Sequence, residues 1–317
     1  MNHLKDIVEK LNNSQNVLLF PHINMDGDAL GSSIALCKGL RMLGKECYIL
    51  LDDEIPKYLA FLDKGYCVNK ALIFPDTCVA IDCGDISRIE NRKDIFFSAK
   101  TTICIDHHLV NEPFAKFNII DPTSAATGIL IFKILKDLEV KIDKEIADAL
   151  FVAILTDTGS FRYSNADENT HLAVAELYQY GLDHVTICNA IYDNVPPTQM
   201  VIESNVLNKM EIFASGKACI SYATCQMLKD ADVTPDQTET VIDKLRSIQG
   251  VEIAAFLKEK PDGNYKASFR AKSYANVAKI AVSLGGGGHE KASGCIVMPP
   301  LENALKTVKL AIEKELS

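Results

Sequence analysis

The chain has 317 residues and a formal net charge of −9, long enough for two domains with cores of their own. Hydrophobic residues make up 48% and charged residues 24%, an ordinary globular composition. The acidic balance excludes a general DNA-coating protein, but a nucleotide can still be held by a metal site and a local basic patch. The ten cysteines show no Cys-x-x-Cys spacing and sit in apolar settings, so they read as buried thiols in a reducing cytoplasm rather than as disulfides. Met-Asn-His-Leu-Lys-Asp at the start lacks a signal-peptide core, and no apolar run is long enough to span a bilayer.

In chain order, a short amphipathic helix is expected at 4–12. A strand at 16–21 and a helix at 29–43 follow, stopped by Gly44. Further strands are expected at 47–51, 77–81, 101–105 and 117–120, with a short helix at 56–62. Strands alternating with helices imply parallel βαβ units. Helices at 125–138, 143–156, 168–180 and 183–192 complete the first domain, residues 1–191. Pro196-Pro197 opens a helix to about 210, giving a helical linker over 192–212. From 213 to 317 the pattern restarts as a smaller α+β domain. Strands are expected at 211–213, 217–223, 251–258, 264–271 and 295–298, and helices at 235–247, 276–283 and 301–315. The fold class is therefore α/β: a parallel-sheet domain with helices on both faces, followed by a smaller α+β domain.

The chemistry gathers at the strand ends. His22, Asp26 and Asp28 stand within seven residues, directly after the apolar run Val17-Leu18-Leu19-Phe20. Gly27 permits the turn between the two carboxylates. Either Asp alone reads as a helix N-cap, but that does not explain three metal-capable groups together. Asp82 ends the 77–81 strand, and Asp106-His107-His108 ends the 101–105 strand. In a parallel sheet all C-terminal strand ends share one edge, the edge where open α/β sheets bind ligands. Asp157, at a helix end beside Gly159, is placed as a late ligand. Carboxylates converging on a point repel one another; the remedies are a shared proton or a divalent cation, and the nearby His22 favours a cation. In the second domain, Gly285-Gly286-Gly287-Gly288-His289 lets backbone N–H groups face a phosphate. Arg270, on a nearby strand, adds positive charge.

Four ordered motifs carry a resemblance that covers nearly the whole chain. They are His22-x-x-x-Asp26-Gly27-Asp28-Ala29-Leu30-Gly31, Asp82-Cys83-Gly84-Asp85, Asp106-His107-His108 and Asp157-Thr158-Gly159. Together they resemble the DHH phosphoesterase superfamily. The Gly285–His289 run with Ala292-Ser293-Gly294 resembles the DHH-associated C-terminal domain of its RecJ-like and NrnA-like members. The compact length is similar to the NrnA-like branch, nanoRNases that also act as pAp phosphatases.

That resemblance implies two Mn²⁺ ions, with Mg²⁺ as a substitute. One would be held by His22, Asp26 and Asp82, the other by Asp28, Asp82, His107 and Asp157, with Asp82 bridging. It makes His108 the residue that meets the scissile phosphate or protonates the leaving oxygen, and Asp106 the residue that orients a histidine. It implies that Arg270, Gly287, Gly288 and His289 bind the substrate. Ala271 follows Arg270 where many relatives carry Ser, and Met25 stands where Pro is frequent.

The activity implied is hydrolysis of short oligoribonucleotides to mononucleotides, and of pAp to AMP. Two rivals are a cyclic-dinucleotide pathway phosphodiesterase acting on pApA, pGpG or cyclic di-AMP, and a non-catalytic nucleotide sensor on the same fold. The partners expected are short single-stranded RNA or small nucleotides and a second copy of the chain, with no membrane.

Overall fold

A computed structural model describes residues 4–108 and 112–317; residues 1–3 and 109–111 lie outside the described residues. The chain divides into two compact units, with the boundary between Asn194 and Val195.

The first unit runs α1 (Leu4–Asn13), β1 (Asn16–Pro21), α2 (Gly27–Met42), β2 (Glu46–Leu50), β3 (Cys67–Val68), β4 (Thr77–Ile81), α3 (Lys93–Ser98), β5 (Thr101–Asp106), β6 (Phe117–Ile120), α4 (Thr127–Asp137), α5 (Lys144–Asp157), α6 (Glu168–Leu177) and α7 (His184–Tyr192). Its six strands form one sheet in the order β3-β2-β1-β4-β5-β6, every pair parallel. Alternate residues of β1 serve opposite faces, as strand geometry requires. Val17 and Leu19 pack beneath the helices with Leu30, Ile34 and Phe151. Leu18 and Phe20 pack on the other side with Phe96 and Ile89. Connections leave β1 in one direction and β4 in the other, so these adjacent strands form the switch point of the sheet, where a ligand crevice opens.

Helix α2 lies unusually close to α5. A Cβ at Gly31 would sit 2.4 Å from the carbonyl oxygen of Ala149, and one at Gly27 would sit 2.4 Å from Thr156 Oγ1. The glycines of Asp26-Gly27-Asp28-Ala29-Leu30-Gly31 therefore let the helix that carries Asp28 approach the helix that ends at Asp157.

The second unit runs α8 (Pro197–Leu207), β7 (Glu211–Phe213), β8 (Ala218–Ala223), α9 (Cys225–Asp230), α10 (Val241–Ser247), β9 (Ile253–Glu259), β10 (Tyr265–Ala271), α11 (Val277–Ser283), β11 (Gly287–Gly288), β12 (Ala292–Val297) and α12 (Leu301–Leu316). The sheet order is β11-β12-β10-β9-β8-β7, with β8 and β9 parallel and the other pairs antiparallel. The two faces of β9 again serve two cores: Ile253, Ala255 and Leu257 on one side, Ala254 and Phe256 on the other. Ile202 and Val206 of α8 are buried in the second of these cores, which places that helix inside the second unit.

Several elements differ from expectation. The 235–247 helix is a 3₁₀ turn, Pro235–Thr238, followed by α10. Thr238 Oγ1 donates to Pro235 O at 2.7 Å, a local bond that competes with the helix, and Thr240 Oγ1 donates to Glu203 Oε1 of α8 at 2.5 Å. The 56–62 helix is 3₁₀. Helices at Ile86–Arg92, Lys93–Ser98 and Cys225–Asp230 were not anticipated, since charged residues dilute their apolar period.

One buried carboxylate organises the second unit. Glu252 is 4% exposed and accepts from the backbone N–H of Ser273, Tyr274 and Ala275 at 2.8–2.9 Å and from Ser273 Oγ at 2.7 Å. Burial alone would raise its carboxyl, but these hydrogen bonds prevail and lower it. A lowered carboxyl contributes stability that is present above the unfolded-state pKa and lost as pH falls through the folded-state value. Glu252→Gln is therefore expected to cost about 2 kcal/mol at neutral pH, the scale of hydrogen bonds to a charged group. The difference from wild type should shrink below about pH 4, where wild type loses the same contribution. Urea melts at both pH values, with amide exchange at Ser273–Ala275 as the local probe, check both statements.

Candidate metal centre

The C-terminal edge of the first sheet brings His22, Asp26, Asp28, Asp82, Asp106, His107, His108 and Asp157 together. β1 ends immediately before His22, β4 immediately before Asp82, and β5 at Asp106. Asp26 caps α2, accepting from the N–H groups of Asp28 and Ala29 at 3.1 and 3.0 Å. Both readings of Asp26 thus coexist: its Oδ1 caps the helix and also lies 3.7 Å from His22 Nε2. Met25, beside it, is buried in the core and anchors the loop from below. Asp82 adopts φ +59°, a left-handed conformation uncommon outside glycine, which Asp tolerates better than most residues. The turn ends β4 and leaves the carboxylate buried among the three histidines.

Each imidazole is oriented through Nδ1. His22 Nδ1 lies 2.8 Å from Ile23 O, and His107 Nδ1 lies 3.1 Å from Ser124 O. A proton on Nδ1 in each case presents Nε2 as a lone-pair donor. His22 Nε2 then faces Asp82 Oδ2 at 3.7 Å. His107 Nε2 faces Asp28 Oδ2, Asp82 Oδ1 and Asp157 Oδ2 at 3.7, 3.7 and 3.6 Å. His108 is held differently, with Nδ1 2.7 Å from Asp106 Oδ1.

Three overlapping groups could hold a metal ion: His22, Asp26 and Asp82; Asp28, His107 and Asp157; and Asp82, His107 and His108. Within each, the donor atoms lie within 4.8 Å of one another. Separations of 3.6–3.7 Å between Nε2 and carboxylate oxygens are too long for hydrogen bonds. They match two ligands on one cation, since bonds of about 2.0–2.2 Å at a tetrahedral angle leave donors about 3.5 Å apart. The electrostatics agree. Burial raises the Asp28 carboxyl well above its usual range, and Asp82, Asp157 and Asp26 push it further. Burial and Asp26 raise Asp82. Burial, with Asp82 and Asp26, outweighs the nearby imidazoles and puts Asp157 at about 7. Burial works against the charged form of His108, but the bond to Asp106 and the surrounding carboxylates carry it to about 9. Acids crowded until they resist ionisation are what a divalent cation relieves. A donor set of carboxylate and imidazole without thiolate fits such ions.

Several residues that support the centre were not singled out in the sequence. Ser32 Oγ donates to Asp28 Oδ1 at 2.9 Å, Thr127 Oγ1 to Asp82 Oδ1 at 2.9 Å, and Asn165 Nδ2 to Asp157 Oδ2 at 3.3 Å. Arg88 Nη2 lies 2.9 Å from His22 Nδ1 and competes with Ile23 O for that nitrogen, since a guanidinium can donate there only when Nδ1 carries no proton. Thr123-Ser124 before a helix reads as a capping signal, and nothing in the pattern points Thr127 at Asp28, 99 residues away.

In the second unit, the expected substrate residues lie at one end of the sheet. Arg270 pairs in register with Ala292, Gly288 with Ser293 and Gly287 with Gly294. His289 and Ala292 exchange backbone hydrogen bonds at 2.7 and 3.2 Å, closing the hairpin. A Cβ at Gly286 would sit 2.2 Å from Gly294 O, so the glycine run lies flat against β12.

Among the described residues no helix is long and apolar enough to cross a membrane. The N-terminal domain profile of the DHH family matches residues 16–154, and the DHHA1 domain profile matches 216–314. The chain is 31% identical over 305 residues to the bifunctional oligoribonuclease and PAP phosphatase NrnA of Thermus thermophilus, covering 95% of this chain and 90% of that one. It is 25% identical over 301 residues to a probable enzyme of the same name from Streptococcus mutans, covering 93% of each. A crystal structure of an exopolyphosphatase-related protein from Bacteroides fragilis superposes with a TM-score of 0.91 at 24% identity, over 98% of this chain and 96% of that one, and so shares the fold. With the motif acids and imidazoles gathered at one sheet edge and both domain profiles matched in order, the chain belongs to the DHH family of phosphoesterases, on its NrnA-like branch, with DHHA1 as its second domain.

Proposed function

We propose that this phosphoesterase is a Mn²⁺-dependent enzyme that hydrolyses short oligoribonucleotides to mononucleotides and removes a phosphate from pAp. The observation that carries the reading is the position of Asp82, whose two carboxylate oxygens face two different histidines, Oδ2 toward His22 and Oδ1 toward His107. A carboxylate so placed can be shared between two cations. His22, Asp26 and Asp82 would hold one, and Asp28, Asp82, His107 and Asp157 the other, with Mg²⁺ as a substitute. Such a pair supplies a nucleophile at neutral pH and charge stabilisation on the attacking and leaving oxygens of an in-line displacement. The names of the Thermus thermophilus and Streptococcus mutans relatives support oligoribonucleotide and pAp as substrates. The largely buried cysteines suit a reducing cytoplasm.

The protein's own groups do the rest. His108 gives its Nε2 proton to the leaving ribose oxygen, while Asp106, fully buried, holds Nδ1 and keeps the ring in place. Arg270 would bind substrate through a charged fork suited to phosphate. Gly287 and Gly288 leave room for close approach of that nucleotide, and His289 supplies a further donor.

The test is a Mn²⁺-dependent product assay on pAp, pApA, pGpG, longer RNA and cyclic di-AMP. Mononucleotide from pApA and AMP from pAp are expected as the fastest reactions. Cyclic di-AMP opened faster than pApA is cleaved would replace this reading with a cyclic-dinucleotide phosphodiesterase. On the same substrates, Arg270→Ala is expected to raise KM more than it lowers kcat, because it removes ground-state and transition-state binding alike. A loss confined to kcat would contradict a binding role.

A further inference from the structure

The turn that opens α4 touches the acidic cluster along its whole length. Ser124 O accepts from His107 Nδ1 at 3.1 Å. Ala125 O accepts from Asn165 Nδ2 at 3.0 Å, and the same amide nitrogen reaches Asp157 Oδ2 at 3.3 Å. Thr127 N–H donates to Asp28 Oδ2 at 2.7 Å, and Gly128 N–H donates to Asp28 Oδ1 at 2.9 Å. Thr127 Oγ1 donates to Asp82 Oδ1 at 2.9 Å. Helix α4 has no capping side chain of its own at Ala126, so Asp28, from α2, takes that place. The first N–H groups of a helix need such an acceptor and favour a negative charge. Gly128 lets α4 lie close against α5, because a Cβ there would be 2.6 Å from Ala153 Cβ.

The contacts of Thr127 are selective. Asp28 Oδ2 and Asp82 Oδ1, the two oxygens it touches, are the same two that face His107 Nε2, each at 3.7 Å. Asp82 Oδ2, on the His22 side, is 3.7 Å from His22 Nε2, and Asp26 is held by the start of α2 instead. We propose that Thr127 is a positioning residue for only one of the two cation sites, the one formed by Asp28, Asp82, His107 and Asp157. Its hydroxyl holds Asp82 Oδ1 on the His107 side, and its N–H fixes Asp28 on the same side. The inference rests on the two-cation reading above. Thr127 is fully buried, so a purely structural role would change stability without distinguishing one site from the other.

The experiment is calorimetric titration of the metal-free full chain with Mn²⁺, on wild type, Thr127→Val and Thr127→Ser, with thermal melts of each as the folding control. Wild type is expected to take up two ions. Thr127→Val, which keeps the shape and the backbone N–H but loses the hydroxyl, is expected to weaken one of them by about ten- to a hundred-fold, as loss of a ligand's hydrogen-bonding partner does. The other should stay within about threefold, and Thr127→Ser should restore the weakened one. kcat of Thr127→Val should recover as Mn²⁺ is raised. Equal affinities in Thr127→Val and wild type, or parallel weakening of both ions that Ser does not restore, overturns the inference while leaving two ions in wild type. Fewer than two ions in wild type removes the two-cation reading and the inference with it. If Thr127→Val fails to fold, Thr127→Ala against Thr127→Ser makes the same comparison.

Discussion

Asp82→Asn is expected to lower kcat on pApA and pAp by at least about a thousandfold. Asp82 is the residue shared between the His22 and His107 donor sets, so its loss touches both proposed cations at once. Charge stabilisation by bound cations is worth several kcal/mol in phosphoryl transfer, and about 4 kcal/mol corresponds to a thousandfold in rate. The asparagine keeps the size of the side chain, and its Oδ1 keeps the acceptor for Thr127 Oγ1, now 2.9 Å away. What disappears is one negative charge and one oxygen donor. Mn²⁺ uptake by the variant should fall in parallel, and added Mn²⁺ should not restore turnover.

The same substitution makes an opposite prediction for stability. Burial and Asp26 raise the Asp82 carboxyl above its ordinary value, so its ionised form destabilises the metal-free fold at neutral pH. An acid raised on folding binds its proton more tightly in the folded state, so ionisation at higher pH erodes stability. Asp82→Asn should therefore melt higher than wild type when both are metal-free, and this advantage should vanish at low pH, where Asp82 is protonated. Addition of Mn²⁺ should reverse the order, because only wild type gains full binding energy from the ions. A variant that is inactive yet more stable without metal marks a residue retained for chemistry at a cost to the fold.

The acids and imidazoles of the centre were legible because topology does the gathering. Once the apolar runs are read as parallel strands, His22, Asp82 and Asp106 fall on one edge whatever their separation in sequence. The glycines of the first motif were legible as turn formers, but their larger part is steric, and the 2.4 Å approach of Gly31 to Ala149 O exists only when α2 and α5 are packed. Thr127 and Asn165 were not legible. Their contacts to Asp82, Asp28 and Asp157 depend on where the turn before α4 and the loop after α5 lie in space. A backbone N–H donor has no residue type, so its target leaves no mark on the sequence. The left-handed run Gly159-Ser160-Phe161 is similar: the glycine hints at a turn, but φ near +60° at Ser160 and Phe161 is imposed by the surrounding structure. Helices Ile86–Arg92 and Cys225–Asp230 escaped because tertiary packing, not an apolar period, holds them in place.

His108→Asn is expected to lower kcat by about a hundred- to ten-thousandfold, the usual contribution of a positioned proton donor. The choice of asparagine matters. Its amide nitrogen stands near the position of Nδ1 and preserves the hydrogen bond to Asp106, so the buried carboxylate stays paired. It carries no proton that it can give to a leaving oxygen. The loss should therefore depend on the leaving group. A ribose alkoxide leaves poorly without a proton, and cleavage of pApA should suffer the full effect. A p-nitrophenyl ester of a nucleotide releases a phenolate that needs no proton, and its hydrolysis should fall by no more than about tenfold, because general acid catalysis has little to contribute there. Equal losses on the two substrates would mean that His108 stabilises the phosphoryl oxygens instead. Mn²⁺ binding separates the remaining case, since His108 Nδ1 is also 3.6 Å from Asp82 Oδ1. A histidine that acts on the leaving oxygen leaves both Mn²⁺ affinities unchanged when replaced, whereas one that serves as a ligand takes an ion with it.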